Sequence, residues 1–534
     1  MCAAAAILAI VCVFHDGFNR LFDFICGGLG MRVDLTKFTQ LYDHLCEIDL
    51  TGTVPGIRPS LSNLANVRSA ISKGAPFLPG VYRQNFYAPL DVALPHVMEL
   101  LAHQVKSGQK SADEMTTELE WLAAGIYQHA PKVTRVNASA ELKRLSAVVS
   151  NLFRSFLDRD KRSAAGVNLV ARTPPLALFQ AEGHRGPFTI ESDEMKQKVG
   201  MSIGVVMLPA TVREHPVLWA ALSHEVCGHD VVHADEGLLP EMAVAARRLF
   251  ARDSLDALIW SYWMDEAAAD VYGVLNMGPA FILNLAAFLA AFRARLLVDF
   301  QNKPRPAKPA VSTDAEPHED KTMDDHPVDV LRLHLAAGAI EAMSGLNAAK
   351  RSDYLQSVEA VAELLAAGAK DISLEGTVVG GPAEPVKAKV PLAEAAKAAR
   401  QVGHMIASRP FERLNGHSIQ EIETWDDADE GAAQGIAEQI IKGQPIVGRG
   451  DDAQLLAGAT LALLDQPALY KQTQALLNDA LDHSYRTDPI WGALTPAHAF
   501  AQHAFRRPPG KPKVAAARAK KPTRKTAPRG KGKR

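Results

Sequence analysis

The sequence predicts a mainly α chain with a small β-sheet (α+β) and a metal site between two helices of its helical core. Three observations carry the α+β assignment, and the segment His224–His229 carries the metal site. Apolar residues recur at helical spacing through much of residues 31–160 and again from about residue 216 onward. Between those stretches, residues 166–209 hold short β-leaning runs broken by a Pro-Pro pair and by glycines. Hydrophobic residues make up 47% of the 534 and charged ones 22%, enough for a large core or two to three domains.

Taken in order, residues 1–30 read as an apolar N-terminal extension. The run from Ala3 to Phe14 is too short for a membrane span and lacks the basic segment of a secretory signal. A signal or anchor and an extension from a start codon upstream of Met31 are the two readings. Residues 31–165 predict a helical domain, with helical periodicity clearest over 94–101, 115–127 and 142–157. Residues 166–345 predict a metal-binding catalytic domain. Its strands fall at 168–172, 176–180, 188–191 and 203–208, and its helices run from 216 through His229 and over 240–252, 255–275 and 279–297. The stretch 280–292 is apolar almost all round, yet Asn284, Arg293 and Arg295 mark a buried core helix, so no integral membrane segment is expected. Residues 301–325, rich in Pro, Lys, Asp and Glu, predict a flexible loop. Residues 346–504 predict a helical C-terminal region; the blocks 327–370 and 388–482 are parted by the Gly/Pro stretch 376–387.

The net charge of −2 hides an asymmetry. Residues 505–534 hold 13 of the 58 basic residues and no acid, which leaves 45 basic against 60 acidic residues in the rest. The tail predicts disorder, and its Lys/Ala/Pro pattern resembles histone-H1-like tails. That resemblance implies sequence-independent binding of nucleic acid or another polyanion through counterion release. The five cysteines (Cys2, Cys12, Cys26, Cys46, Cys227) show no paired spacing. A reducing, cytoplasmic setting is the simpler expectation, with export the alternative if residues 1–30 are a signal.

Chemistry concentrates at His224-Glu225-Val226-Cys227-Gly228-His229. Zinc needs neutral imidazoles or carboxylates converging within about 2.0–2.2 Å of one point. A regular α-helix turns the second of two residues five apart by roughly 140°, onto the wrong face. The two histidines converge only if the helix widens in a π-bulge, which Gly228 would ease. Downstream, Glu266 and Asp270 share one helical face, and the three alanines between them leave room for close packing. Glu266 could complete the ligand set, and Asp270 could accept the free N–H of a ligating histidine.

The pair HEVCGH … DEAAAD resembles the thermolysin-like zinc peptidases, whose third ligand is a glutamate in an ExxxD helix. The five-residue histidine spacing followed by Gly-His is similar to the dipeptidyl peptidase III family. The resemblance covers about residues 222–273. It implies one zinc ion held by His224, His229 and Glu266, with Glu225 as general base, Asp270 behind the ligands, and a peptide or protein substrate. Away from the motifs the chain departs from that family, so dipeptide release is not implied. The expected reaction is peptide hydrolysis by water whose pKa zinc lowers towards about 7 and whose proton Glu225 takes. Candidate donors to the developing oxyanion are His326, Arg332 and His334, just beyond the loop, with Tyr262 and Tyr272 behind them. His233 is expected beside the site and Cys227 as a small buried hydrophobe. The run 203–208 could offer a sheet edge to an extended peptide.

Rival readings use the same residues. Glu225, His229 and His233 at i, i+4 and i+8 of an undistorted helix would suit a di-metal carboxylate bundle. The run Gly228-His229-Asp230 faintly resembles the HD phosphohydrolases. A non-catalytic scaffold anchored by its basic tail is the reading of a different class.

Overall fold

The structure, a computed structural model, describes residues 32–492 apart from 55–63, 107–110, 131–138, 170–172, 182–185, 294–300, 303–321, 379–380, 382–383 and 448–449. The N-terminal extension, the basic tail, most of the expected loop and most of the expected strand at 168–172 therefore lie outside the described residues. The described chain is mainly helical, as its periodicity predicts, and holds two small sheets.

Helices α1 (Leu35–Cys46), α2 (Leu64–Gly74), α3 (Ala88–Lys106), α4 (Ser111–Gln128), α5 (Ala140–Phe156) and α6 (Arg159–Ala165) precede the first sheet. The start of α5 shows the local logic. Ser139 caps it by accepting from the Leu142 N–H, and Leu142, Leu145, Val149, Leu152, Phe153 and Phe156 then fall on its buried side.

Strands β1 (Leu176–Gln180), β2 (Phe188–Ile190) and β3 (Val205–Pro209) form the first sheet in the order β1-β3-β2, with helix α7 (Ser192–Val199) between β2 and β3 in the chain. β1 runs parallel to β3, Leu176 opposite Val205, and β2 antiparallel, Phe188 opposite Met207. Every residue of β1 and β3 is buried because both faces of the sheet are covered. The pleat sends Ala177, Phe179, Val206 and Leu208 into one hydrophobic cluster and Leu176, Leu178, Val205 and Met207 into another. The first cluster extends from Phe38 to Leu481, and the second is built largely from α2 to α4. At the outer edge of β1, the Gln128 side chain closes the backbone of Phe179, donating to its O at 2.7 Å and accepting from its N at 3.0 Å.

This order corrects one expectation. The run 203–208 was to be a free edge, but its strand sits in the centre of the sheet, paired on both sides. The edge beside the metal motif is β2.

After β3 come a 3-10 segment, Pro216–Ala221, and a π-helix, Ser223–Asp230. Helices α8 (Leu238–Leu249), α9 (Leu255–Tyr262), α10 (Met264–Met277) and α11 (Ala280–Phe292) follow. The single helix expected over 255–275 is thus two. Trp263 leaves helical geometry at the break, and its indole N–H donates to the Asp324 O at 3.0 Å. Helix α11 is buried on nearly all sides, and no helix among the described residues is long and apolar enough to cross a membrane.

The second sheet joins β4 (Gln301–Asn302), β5 (Asp371–Gly376) and β6 (Val386–Pro391) in that order. It was not foreseen. The start of the expected loop pairs with β5, and the Gly/Pro stretch 376–387 is mostly the connection of a hairpin rather than a break between helices. Helices α12 (Asp329–Ala342), α13 (Ala348–Ala366), α14 (Leu392–Ser408), α15 (Ile419–Ile422), α16 (Asp427–Ile441), α17 (Asp452–Asp465) and α18 (Tyr470–Thr487) complete the described chain. Helix α12 packs on both α10 and α14. Glycines permit the second contact: a Cβ on Gly338 would lie 1.9 Å from the Arg400 O, and one on Gly403 1.8 Å from the Leu335 O.

Candidate metal centre

The π-helix and α10 lie side by side, and their contact is set by sequence. A Cβ on Gly228 would meet the Cα and Cβ of Ala269 at 2.3 Å, so only glycine facing alanine lets the backbones approach this closely. Gly228 has no positive φ. Its role is therefore steric contact, not the conformational ease expected of it. The wider turn of the π-helix brings residues five apart onto one side.

His224 Nε2 lies 3.3 Å from His229 Nε2 and 3.1 Å from Glu266 Oε2, and His229 Nε2 lies 3.6 Å from Glu266 Oε1. Ligands bound at about 2.0–2.2 Å in a tetrahedral zinc site stand roughly 3.3–3.6 Å apart. The two imidazole nitrogens fall within that range at 3.3 Å, the Glu266 carboxylate closes on them with one oxygen 3.1 Å from His224 and the other 3.6 Å from His229, and all three residues are buried.

Each imidazole is oriented from behind. His224 Nδ1–H donates to Asp270 Oδ1 at 2.9 Å, and His229 Nδ1–H to Asp265 Oδ1 at 3.3 Å. These bonds assign the Nδ1 tautomers and leave both Nε2 lone pairs facing the Glu266 carboxylate. Three lone-pair-bearing groups so close together repel one another unless a cation or a proton lies among them. Glu266 Oε2 is buried and makes no hydrogen bond among the described residues. The donor set thus fits a divalent cation.

The outer partners are charged in turn. Arg332 donates to both oxygens of Asp270, Nε to Oδ2 at 2.8 Å and Nη2 to Oδ1 at 2.6 Å. Burial opposes ionisation of Asp270, but the guanidinium and the His224 N–H hold its pKa below the ordinary carboxylate range. Asp265 Oδ2 accepts from His233 Nε2 at 3.1 Å, so this carboxylate links His233 to His229. Glu191, at the end of β2, lies 3.8 Å from His229 Nδ1, and burial pushes its carboxyl up to about 8.

Glu225 is buried beside His224, and its Oε2 accepts from the Thr189 hydroxyl at 2.9 Å. His326 places Nε2 3.2 Å from Glu266 Oε1, while its Nδ1–H is held by Asp324 at 2.8 Å. Burial works against charge on His326, but Glu266, Asp324 and Asp325 outweigh it and raise its pKa to about 10. The segment bearing His326 is fixed to α9 and Trp263 by Tyr262, whose hydroxyl donates to the Met323 O at 2.6 Å, and by the Trp263 indole.

Two expected oxyanion donors are misplaced by this arrangement. Arg332 is engaged by Asp270 within the core and acts behind His224. His334, two residues further along α12, falls on another side of the helix, where its charged neighbours are Arg400 and Glu359; burial lowers its pKa. Tyr272 is likewise buried against Phe156. Cys227 turns away from the histidines: its thiol donates to the Leu152 O at 3.4 Å, and burial raises its pKa.

The rival arrangements find little support here. Asp230, which an HD-type site would need as a ligand, accepts instead from the Ser192 N–H at the start of α7. The i, i+4, i+8 register of Glu225, His229 and His233 does not survive the π-helix. Residue-level reading missed Asp265, Glu191 and Thr189. The position of Asp265 directly before Glu266 was the one available signal.

No family model matches the chain, and neither does any curated protein or solved structure.

Proposed function

We propose that this chain is a zinc-dependent hydrolase, a metallopeptidase using His224, His229 and Glu266 as ligands and Glu225 as general base. The observation carrying this reading is the convergence of two imidazole nitrogens, 3.3 Å apart, on the two oxygens of the Glu266 carboxylate at 3.1 and 3.6 Å, with each histidine aligned by its own carboxylate. Two imidazoles and one carboxylate are a donor set suited to catalytic zinc, with a position left open. Zinc bound there supplies Lewis acidity that polarises water and the scissile carbonyl.

The chain's own groups carry the remaining steps. Glu225 takes the proton of the attacking water and delivers it to the leaving amine. His326, whose Nε2 faces Glu266 Oε1 at 3.2 Å, would donate from that nitrogen to the oxygen that gains charge once zinc holds the Glu266 carboxylate. Its Asp324 partner keeps the ring in place. The outer edge of β2, next to Glu225, can pair with the backbone of an extended peptide.

The test is zinc content and peptide hydrolysis for the parent, Glu225→Gln and His229→Ala. The parent and Glu225→Gln should each hold about one zinc, while Glu225→Gln loses activity by roughly 10²–10⁴-fold. His229→Ala should lose the metal. A zinc-free parent, or a fully active Glu225→Gln, overturns the reading.

A further inference from the structure

The Glu225 carboxylate has one hydrogen-bond donor among the described residues, and it comes from the sheet. Thr189, the middle residue of β2, sends its hydroxyl to Glu225 Oε2 at 2.9 Å and lies 3.0 Å from the Glu225 backbone O. A hydroxyl has a single proton, so it serves these two acceptors in turn. The bond to the carboxylate is charge-assisted and is the stronger of the two while Glu225 is ionised. Thr189 is itself fixed, since β2 pairs with β3 and Thr189 stands opposite Val206.

We infer that Thr189 is a positioning residue for Glu225. By occupying Oε2, it leaves Oε1 as the oxygen turned to the water whose proton is taken. No atom of Thr189 has to touch the substrate. This rests on the hydrolase reading above, and it adds a residue 36 positions before Glu225.

The test compares Thr189→Val, which keeps the β-branched shape, with Thr189→Ser, which keeps the hydroxyl. For a peptide cleaved by the parent, Thr189→Val should lower kcat by roughly 10- to 100-fold, as expected for losing one hydrogen bond to a charged group. KM and zinc content should stay within about twofold, and Thr189→Ser should recover most of the rate. Because Thr189 acts through Glu225, Thr189→Val should lower the rate no further when introduced into Glu225→Gln. Unchanged kcat in Thr189→Val overturns the inference while the hydrolase reading stands. So does a loss that Thr189→Ser fails to rescue, or one accompanied by loss of zinc. A parent with no zinc-dependent cleavage instead sinks the hydrolase reading and this inference with it.

Discussion

Arg332 grips both oxygens of Asp270 from a helix 62 residues further along the chain, at 2.8 and 2.6 Å. Both residues are buried, and Asp270 also takes the His224 N–H. Removing the guanidinium leaves a carboxylate in the core without its main counter-charge. Arg332→Met should therefore lower unfolding stability by about 3–5 kcal/mol in urea titrations. Asp270→Asn should weaken zinc affinity by about 10- to 100-fold in a competitive chelator titration. Because the two residues are in contact, the double variant should be less destabilised than the sum of the singles. Strict additivity would show that the pair is not coupled.

The contact of Gly228 with Ala269 predicts a different kind of failure. Gly228→Ala places a methyl where Ala269 already stands, so the π-helix and α10 must separate. A loss of about 1–3 kcal/mol is expected from overpacking. A drop in zinc affinity should accompany it, because His229 follows directly and Glu266 lies on the opposing helix. Ala269→Gly should restore part of both. An unperturbed Gly228→Ala protein would mean that the two backbones do not pack this closely.

Asp452 lies fully buried in the first turn of α17. Burial, aided by Asp488 and Asp451, raises its carboxyl to about 7, only partly countered by Ser484. The folded state therefore binds this proton more tightly than the unfolded chain. The resulting stabilisation is full below about pH 4 and is lost as pH rises through about 7. Asp452→Asn cannot titrate, so its stability relative to the parent should increase from pH 5 to pH 8. Urea unfolding at the two values checks this, and a constant difference would contradict it.

The basic tail makes a prediction of its own. Its 13 Lys and Arg should bind duplex DNA weakly, with an affinity that falls linearly on a log–log plot against salt. Deleting residues 505–534 should abolish that binding and leave zinc content unchanged. Binding that is insensitive to salt would exclude the electrostatic account.

What could be read from the sequence was whatever local periodicity controls. The five-residue spacing of His224 and His229 demanded a widened helix, and Glu266 with Asp270 announced a shared face. The alanines between them announced a close approach. What depended on chain topology was hidden. Thr189 reaches Glu225 only because β2 lies at the sheet edge next to the π-helix, and strand order is not written in any one strand. Arg332 and His334 looked equivalent as polar residues near a loop end, yet two steps along a helix separated a core ion pair from a distant face. The split at Trp263 was equally invisible, since its partner is a backbone oxygen 61 residues away.

The π-helix also changes what counts as a motif. A wide turn is an ordinary helix that has absorbed one extra residue, and here the surplus lies between two histidines. Chains with four- and five-residue spacings can then arrive at one metal geometry, the second by tolerating an insertion that would rotate everything beyond it on a regular helix. What such a segment must keep is the separation of two ring nitrogens, and the number of residues between them is free to drift by one.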